Sequence, residues 1–240
     1  MTDTTTTPST APAHPGLLAR VIGVIFSPKE TFAAVAARPT WLGAIAIAVL
    51  IMGVAQYALL STEVGQDLAL EQQVTAMEAF GVTISDEAYA QMEQNMDRAR
   101  YTGPIATMFF TPLGMLLSAG ILHVMFGLVG GGHGTYKQVY AVSAHAAIIS
   151  ALQVVFTTIV TLAAGKAAGA NLAVFVPTLE DTTFTYKFLS YVDLFYVWST
   201  FITAVGLAVL YKRRTGPIAL VLFSIYFVIA AIIAYIASGS

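Results

Sequence analysis

Long runs of apolar residues constrain this chain more than any other feature of its sequence. One of them, VYAVSAHAAIISALQVVFTTIVTLAA, contains no Asp, Glu, Lys or Arg. A membrane-spanning helix needs about 20 residues, and this run is longer. Charged residues make up 10% of the whole chain, whereas a soluble domain carries about 25%. The chain therefore lacks the polar surface of a soluble protein, and we predict an all-α, polytopic transmembrane bundle.

The apolar runs predict five spanning helices, at residues 41–60, 104–129, 139–163, 192–210 and 217–237. Between the first two runs, residues 62–102 are acidic and place apolar residues at helical spacing, which predicts a helical hairpin in water. Its carboxylates are Glu63, Asp67, Glu71, Glu78, Asp86, Glu87, Glu93 and Asp97. Residues 1–16 are rich in Thr, Pro and Ala, a composition typical of a disordered tail. The membrane domain is therefore predicted to cover residues 17–240.

A short amphipathic helix is predicted between the tail and the first span. Ser27 is a natural N-cap, Pro28 suits the first helical position, and Pro39 disfavours the helical conformation in the residue before it. The apolar face carries Phe32, Val35 and Ala36. Such a helix lies in the headgroup region of the bilayer or packs on the bundle as an ordinary helix, and its sequence leaves both interpretations open.

Five spans place the two termini on opposite sides of the membrane. Most basic residues then share one side, and they are Arg20, Lys29, Arg38, Lys137, Lys212, Arg213 and Arg214. Short cytoplasmic loops carry an excess of Lys and Arg. We therefore expect a cytoplasmic amino terminus, an extracytoplasmic carboxyl terminus and an extracytoplasmic acidic hairpin.

Two histidines fall inside the predicted spans. His123 and His145 lie at equal distances before and after Gly134, so an antiparallel hairpin would hold them at similar depth as an intramembrane polar pair. One interpretation is a proton relay or the beginning of a metal site. The other is two neutral histidines bonded to neighbouring groups, since two ligands alone make a poor zinc site. Further candidates for a polar lining are Gln56, Tyr140, Gln153 and Ser199.

Several classes of chemistry have no support in the sequence. The chain has no cysteine, which excludes disulfides, thiolate catalysis and iron–sulfur clusters. It contains no HExxH or GxSxG motif, and the GGGHGT turn lacks the GK[ST] of a phosphate-binding loop. The 11 basic and 13 acidic residues nearly cancel, so no basic face favours nucleic acid. We therefore predict no enzymatic activity, no cofactor, no metal and no nucleic-acid partner.

Three stretches carry a family resemblance. The first is VIFSPKETFAAVAARPTWLGAIAIAVLI, the second GTYKQVYAVSAHAAIISAL and the third DLFYVWSTFITAVGLAVLYK. They resemble bacterial membrane proteins grouped with the Yip (Ypt/Rab-interacting) family, over nearly everything after residue 16. The resemblance implies a five-span bundle with a cytoplasmic amino terminus. Eukaryotic relatives bind small GTPases in vesicle trafficking, but this chain lacks their DLYGP-type motif, and no functional residue is carried over.

These observations favour a non-enzymatic integral membrane protein of the bacterial cytoplasmic (inner) membrane. Its function would be to scaffold or organise partners, which are the lipid bilayer and either another membrane protein or further copies of this chain. One alternative is a small transporter or channel that uses His123, His145 and Gln153. Another alternative is an accessory subunit of a larger membrane complex.

Overall fold

The computed structural model describes residues 15–79 and 81–238, so residues 1–14 of the predicted tail lie outside the described residues. Helix accounts for 82% of the described residues, which contain no β-strand, and this confirms the all-α prediction. The α-helices are α1 (Leu17–Phe26), α2 (Pro28–Ala37), α3 (Leu42–Leu60), α4 (Glu63–Ala79), α5 (Asp86–Leu122), α6 (Tyr136–Ala164), α7 (Phe184–Tyr191), α8 (Leu194–Leu210) and α9 (Thr215–Ser238).

Four helices are long and apolar enough to cross a membrane by length and composition, and they confirm that this is a membrane protein. They are α3, α5 with the π-helix that follows it, α6 and α9. The fourth predicted span corresponds to α8, which is apolar but has 17 residues. At about 1.5 Å per residue it rises about 25 Å, less than the about 30 Å of hydrocarbon in a bilayer. The described residues therefore contain four helices of full spanning length rather than five.

The second helix of the acidic hairpin and the second span form one continuous helix. The sequence placed a boundary between residue 102 and residue 104, but α5 runs through Pro104 and continues as the π-helix His123–Val129. Pro104 is buried, and a Cβ on Gly103 would lie 2.9 Å from Leu60 Cδ1 of α3. Packing against α3 therefore stabilises the continuation, although a proline inside a helix removes one backbone hydrogen bond.

Helix α6 forms the centre of the bundle and contacts α3, α5, α8 and both amino-terminal helices. It begins with a capping box, in which Thr135 accepts from the Gln138 backbone N–H and the Gln138 side chain accepts from the Thr135 N–H. Its buried alanines are Ala141, Ala144, Ala146, Ala147 and Ala151. Small side chains of this kind let the backbones of neighbouring membrane helices approach closely.

The two amino-terminal helices differ in what they expose. Phe32 and Val35 of α2 are fully buried and pack with residues of α6 and α8, so α2 is an ordinary helix of the bundle. Ser27 stands at the N-cap of α2, although its side chain accepts no capping hydrogen bond. Exposed apolar residues lie on α1 instead, at Leu18 and Phe26 among others. The amphipathic character predicted for residues 28–38 therefore belongs mainly to α1.

The described bundle has two chemically different ends. The end of α2, the glycine-rich turn at 130–135 and the turn at 211–214 meet at one end, where Gln138 Nε2 donates to Ala36 O over 2.8 Å and Arg213 donates to Gly130 O. The acidic hairpin, formed by α4 and the beginning of α5, lies at the other end with all eight of its carboxylate residues exposed. We call these the basic end and the acidic end.

Candidate functional site

The glycine-rich turn at the basic end packs around a tyrosine ring. A Cβ added to Gly132 would overlap the Tyr211 ring, and a Cβ on Gly134 would lie 2.8 Å from Tyr211 Cε1. Arg213 strengthens the contact between the two turns by donating to Gly130 O. We call this arrangement of residues 130–135 around residues 211–213 the tyrosine clasp. Close packing against Tyr211 explains Gly132 and Gly134, whereas Gly131 has open space around it and a φ of 68°.

Two buried polar atoms lie close to Gly127, beside the clasp. A Cβ on Gly127 of the π-helix would lie 3.0 Å from His123 Nδ1 and 3.2 Å from Tyr211 Oη. Both atoms are buried and have no hydrogen-bond partner among the described residues. Burial raises the pKa of the Tyr211 hydroxyl, so this group is protonated at neutral pH and can donate.

His123 also ends a row of aromatic rings. Ring centroids lie 5.1 Å apart for Trp41 and Tyr140, 6.5 Å for Tyr140 and Tyr136, and 6.2 Å for Tyr136 and His123. The Tyr136 hydroxyl donates to Leu116 O over 2.8 Å. The row joins the residue before α3 to α6 and to the π-helix, so Tyr140, predicted as a polar lining residue, is part of a packed aromatic contact between segments.

The structure gives the two predicted histidines different surroundings. His145 is fully buried, and its Nδ1 lies 2.8 Å from Ala141 O. His123 instead contacts Tyr136, which stands nine residues before His145 on α6. Nine residues are about two and a half helical turns, so Tyr136 and His145 lie on opposite faces of α6. Among the described residues, no group of three His, Asp or Glu side chains has metal-binding geometry.

Both predicted glutamines bond helices to one another. Thr107 Oγ1 donates to Gln56 Oε1 over 2.5 Å, joining α5 to α3. Gln153 Nε2 donates to Asp193 Oδ1 over 3.0 Å, joining α6 to the start of α8. Interhelical bonds of this kind contribute about 0.6 kcal/mol each on average. The two side chains therefore stabilise the packing of the bundle.

Asp193 is a functional candidate that the sequence reasoning missed. This carboxylate is 7% exposed and caps α8, since Oδ1 accepts from the backbone N–H groups of Phe195 and Tyr196 at 2.8 and 3.3 Å. Its own N–H donates to the Tyr226 hydroxyl over 3.2 Å. The predicted span 192–210 included Asp193 as one of its residues. The available signal was an Asp directly before an apolar run, which is the N-cap position of a helix.

A small cavity lined by hydroxyl groups lies between α3, α5, α6 and α8. It is an open cleft of about 240 Å³, and its hydroxyl-bearing lining residues are Thr111, Ser118, Ser143, Ser150, Ser199 and Thr203. Ser143 Oγ is buried and has no partner among the described residues. Of the polar residues predicted from the sequence, Ser199 belongs to this lining.

Comparison with known proteins gives one match. The family model described as the Yip1 domain matches residues 22–237. No curated protein matches the chain, and no solved structure matches it. The matched range includes the tyrosine clasp, the aromatic row, both glutamines and Asp193.

Proposed function

The chain belongs to the Yip1 domain family, a family of membrane proteins, and from this premise we propose that it is a non-enzymatic scaffold that holds a partner in the membrane. One observation carries the proposal: Gln56 and Gln153, the glutamines predicted to line a polar path, are each bonded to a neighbouring helix. Side chains engaged in this way fix the bundle, so neither glutamine is free to line a path.

Packing at the centre of the bundle supports the same conclusion. His145 is fully buried and shares its helix with five buried alanines. His123 lies in the aromatic row near the basic end. A transporter that used His123, His145 and Gln153 together would need a cavity joining them, and these three residues have separate partners. The bundle therefore acts as a rigid anchor.

The acidic hairpin is the part of the scaffold that reaches a partner. Its carboxylates are all exposed, and so are Gln73 and Gln91 on its two helices. Complementary charge across an interface increases the association rate and excludes wrong partners. We infer a partner membrane protein with a basic surface outside the bilayer. A second copy would repel the hairpin, and an accessory-subunit role would use the same contact within a larger complex.

The proposal includes five crossings, with the amino terminus in the cytoplasm of a bacterium and the carboxyl terminus outside. Helix α8 completes its crossing with α7, which lies beside the second half of α9: Phe188 and Phe227 have centroids 6.5 Å apart, and the Tyr226 hydroxyl donates to Tyr191 O. The break at Val192 is compatible with a bilayer, because irregular backbone is tolerated at membrane depth where protein buries it. The basic end supports the orientation.

Site-specific crosslinking tests the scaffold. A photo-crosslinking amino acid at Gln73 in the full chain should capture a distinct membrane protein, identified by mass spectrometry. The same amino acid at Gly216, on the basic end, is the matched control and should not capture that protein. Reversing the charges of Glu71 and Glu78 to Lys should abolish the Gln73 product. Equal capture from both positions, or a product that survives charge reversal, would contradict the proposal.

Single cysteines test the orientation separately, since the chain has no native cysteine. An impermeant thiol reagent applied to intact cells should label Gln72→Cys and leave Thr215→Cys unlabelled until the membrane is permeabilised. The reverse pattern would invert the topology without affecting the crosslinking result.

The hydroxyl-lined cavity favours one alternative, a channel for a small polar solute. Its volume of about 240 Å³ and the unpartnered Ser143 hydroxyl are compatible with a few water molecules or a small solute. Proteoliposomes containing the full chain would then show solute flux above that of empty vesicles, and Ser143→Val would reduce it. Flux equal to that of empty vesicles would leave the scaffold as the function.

A further inference from the structure

A concave pocket with two arginines lies where the amino-terminal helices meet the first span. It is an open pocket of about 280 Å³ and is lined by Pro15, Arg20, Ala34, Arg38 and Thr40. Sites for drug-sized ligands occupy about 300–1,000 Å³, so this pocket accommodates a headgroup rather than a whole lipid. Its lining contains two guanidinium groups and no acidic side chain among the described residues.

The sequence shapes this pocket through a proline turn. Helix α2 ends at Ala37, and Pro39 follows Arg38, whose N–H still donates to Ala34 O. The Thr40 N–H then donates to Arg38 O over 2.8 Å. This tight turn keeps Arg38 and Thr40 on the same side of α2 and holds both of them beside α1.

Arg20 is held in place with part of its guanidinium group unused. One terminal nitrogen donates to Thr40 Oγ1, while Arg20 Nε is buried without a partner among the described residues. The Thr40 hydroxyl accepts the bond from Arg20 and keeps its own proton to donate. The pocket therefore presents several hydrogen-bond donors together with two positive charges, which is the arrangement that recognises phosphate.

The rest of α1 indicates where this phosphate comes from. Leu18, Ile22 and Phe26 repeat at every fourth residue and are 70%, 57% and 79% exposed. Arg20 is two residues from both Leu18 and Ile22, which places it about 200° around the helix from each. An amphipathic helix with such a stripe lies at the boundary between headgroups and acyl chains. Helix α1 thus contacts acyl chains on one flank and presents Arg20 on the other.

We propose that Arg20, Arg38 and Thr40 bind the phosphate of an anionic phospholipid headgroup. The same end of the bundle carries the basic turn that contains Lys212, which lies outside the pocket lining. This assignment is independent of the scaffold role and of the acidic hairpin. It makes the basic end a lipid-selective contact of the protein.

Trp41, directly after Thr40, provides a local probe. In the full chain with Trp198→Phe, Trp41 is the single tryptophan. The protein is reconstituted in phosphatidylcholine vesicles with increasing amounts of brominated phosphatidylglycerol, which quenches tryptophan on contact, or of brominated phosphatidylcholine. We expect the phosphatidylglycerol to be preferred several-fold. Arg20→Gln combined with Arg38→Gln should bring the preference close to one.

Two controls keep the test decisive. Lys212→Gln combined with Arg214→Gln removes the same charge from the same end outside the pocket and should retain the preference. Arg38→Gln alone changes an exposed side chain, so its loss of preference cannot be attributed to unfolding. Equal preference in the wild type and the arginine variants would overturn the proposal. Displacement of the brominated phosphatidylglycerol by inorganic phosphate would also overturn it, by showing that the pocket binds a free anion.

Discussion

The basic and acidic ends of the bundle are built on opposite principles. At the basic end two short turns interlock, so that Gly132 and Gly134 lie against the ring of Tyr211, which is 7% exposed. At the acidic end α4 and the beginning of α5 form a hairpin whose Tyr89 is 46% exposed. Substitutions at the basic end therefore act through close packing, whereas those on the hairpin act mainly through surface charge.

This difference separates two uses of glycine. Gly132 is needed because a neighbouring ring occupies the space of a side chain, while Gly81 in the hairpin turn has open space around it and a φ of 75°. The first requirement comes from tertiary contact, and the second comes from the local backbone conformation.

The largest difference between the ends is expected for the two tyrosines. Tyr211→Ala should lower the unfolding free energy by about 3–5 kcal/mol, because it empties a buried site of ring size. Tyr89→Ala should change it by less than about 0.5 kcal/mol, as for most surface positions. Unfolding in a denaturing detergent, followed by circular dichroism, measures both. Similar losses for the two variants would remove the contrast between the ends.

Glycine substitutions should show a smaller contrast. Gly132→Ala should cost about 1–3 kcal/mol through overpacking, and in a Tyr211→Ala background this cost should fall without vanishing, because the added Cβ would also lie 2.7 Å from Phe126 O. Gly81→Asn should cost little, since Asn tolerates the left-handed conformation. The same unfolding assay applies. If Gly132→Ala costs as much without the Tyr211 ring as with it, the clasp is not the reason for the glycine.

The interhelical hydrogen bonds in the middle of the bundle should contribute still less to the free energy of unfolding. A double-mutant cycle with Gln56→Leu and Thr107→Val should give a coupling of about 0.6 kcal/mol, the average for such bonds in a membrane. The pair Gln56→Leu and Ser118→Ala is a control, because Ser118 Oγ bonds to Gly114 O within its own helix. An equal coupling for the control pair would show that the cycle does not report the bond between Gln56 and Thr107.

The smallest effect concerns His123 and His145. Because they lie against different faces of α6, the losses caused by His123→Leu and His145→Leu should add to within about 0.5 kcal/mol. A larger coupling in the unfolding assay would bring back the polar pair that their spacing suggested. It would also revive the transporter hypothesis, which used both residues.

Local patterns in the sequence predicted much of the secondary structure. Ser85, before two acidic residues, is the N-cap of α5 and accepts from Ala88 N–H over 3.2 Å. Pro39 stands just beyond α2. The sequence was less informative about contacts between helices. Spacing alone paired His123 with His145, and the apolar run after Asp193 led us to include this N-cap residue in a span. A one-dimensional spacing does not specify which face of a helix a residue occupies relative to a third helix.

The sequence by itself determined that this chain is an α-helical membrane protein with a charge difference between its extramembrane segments, because these properties follow from apolar run length and from residue charge. Only the tertiary structure decided that the glycine run holds Tyr211, that α5 continues through Pro104, and that Arg20 meets Arg38 and Thr40 across a proline turn. Each of these features depends on residues from different helices or turns. The free energy of such contacts depends on how the helices pack, which no single segment encodes.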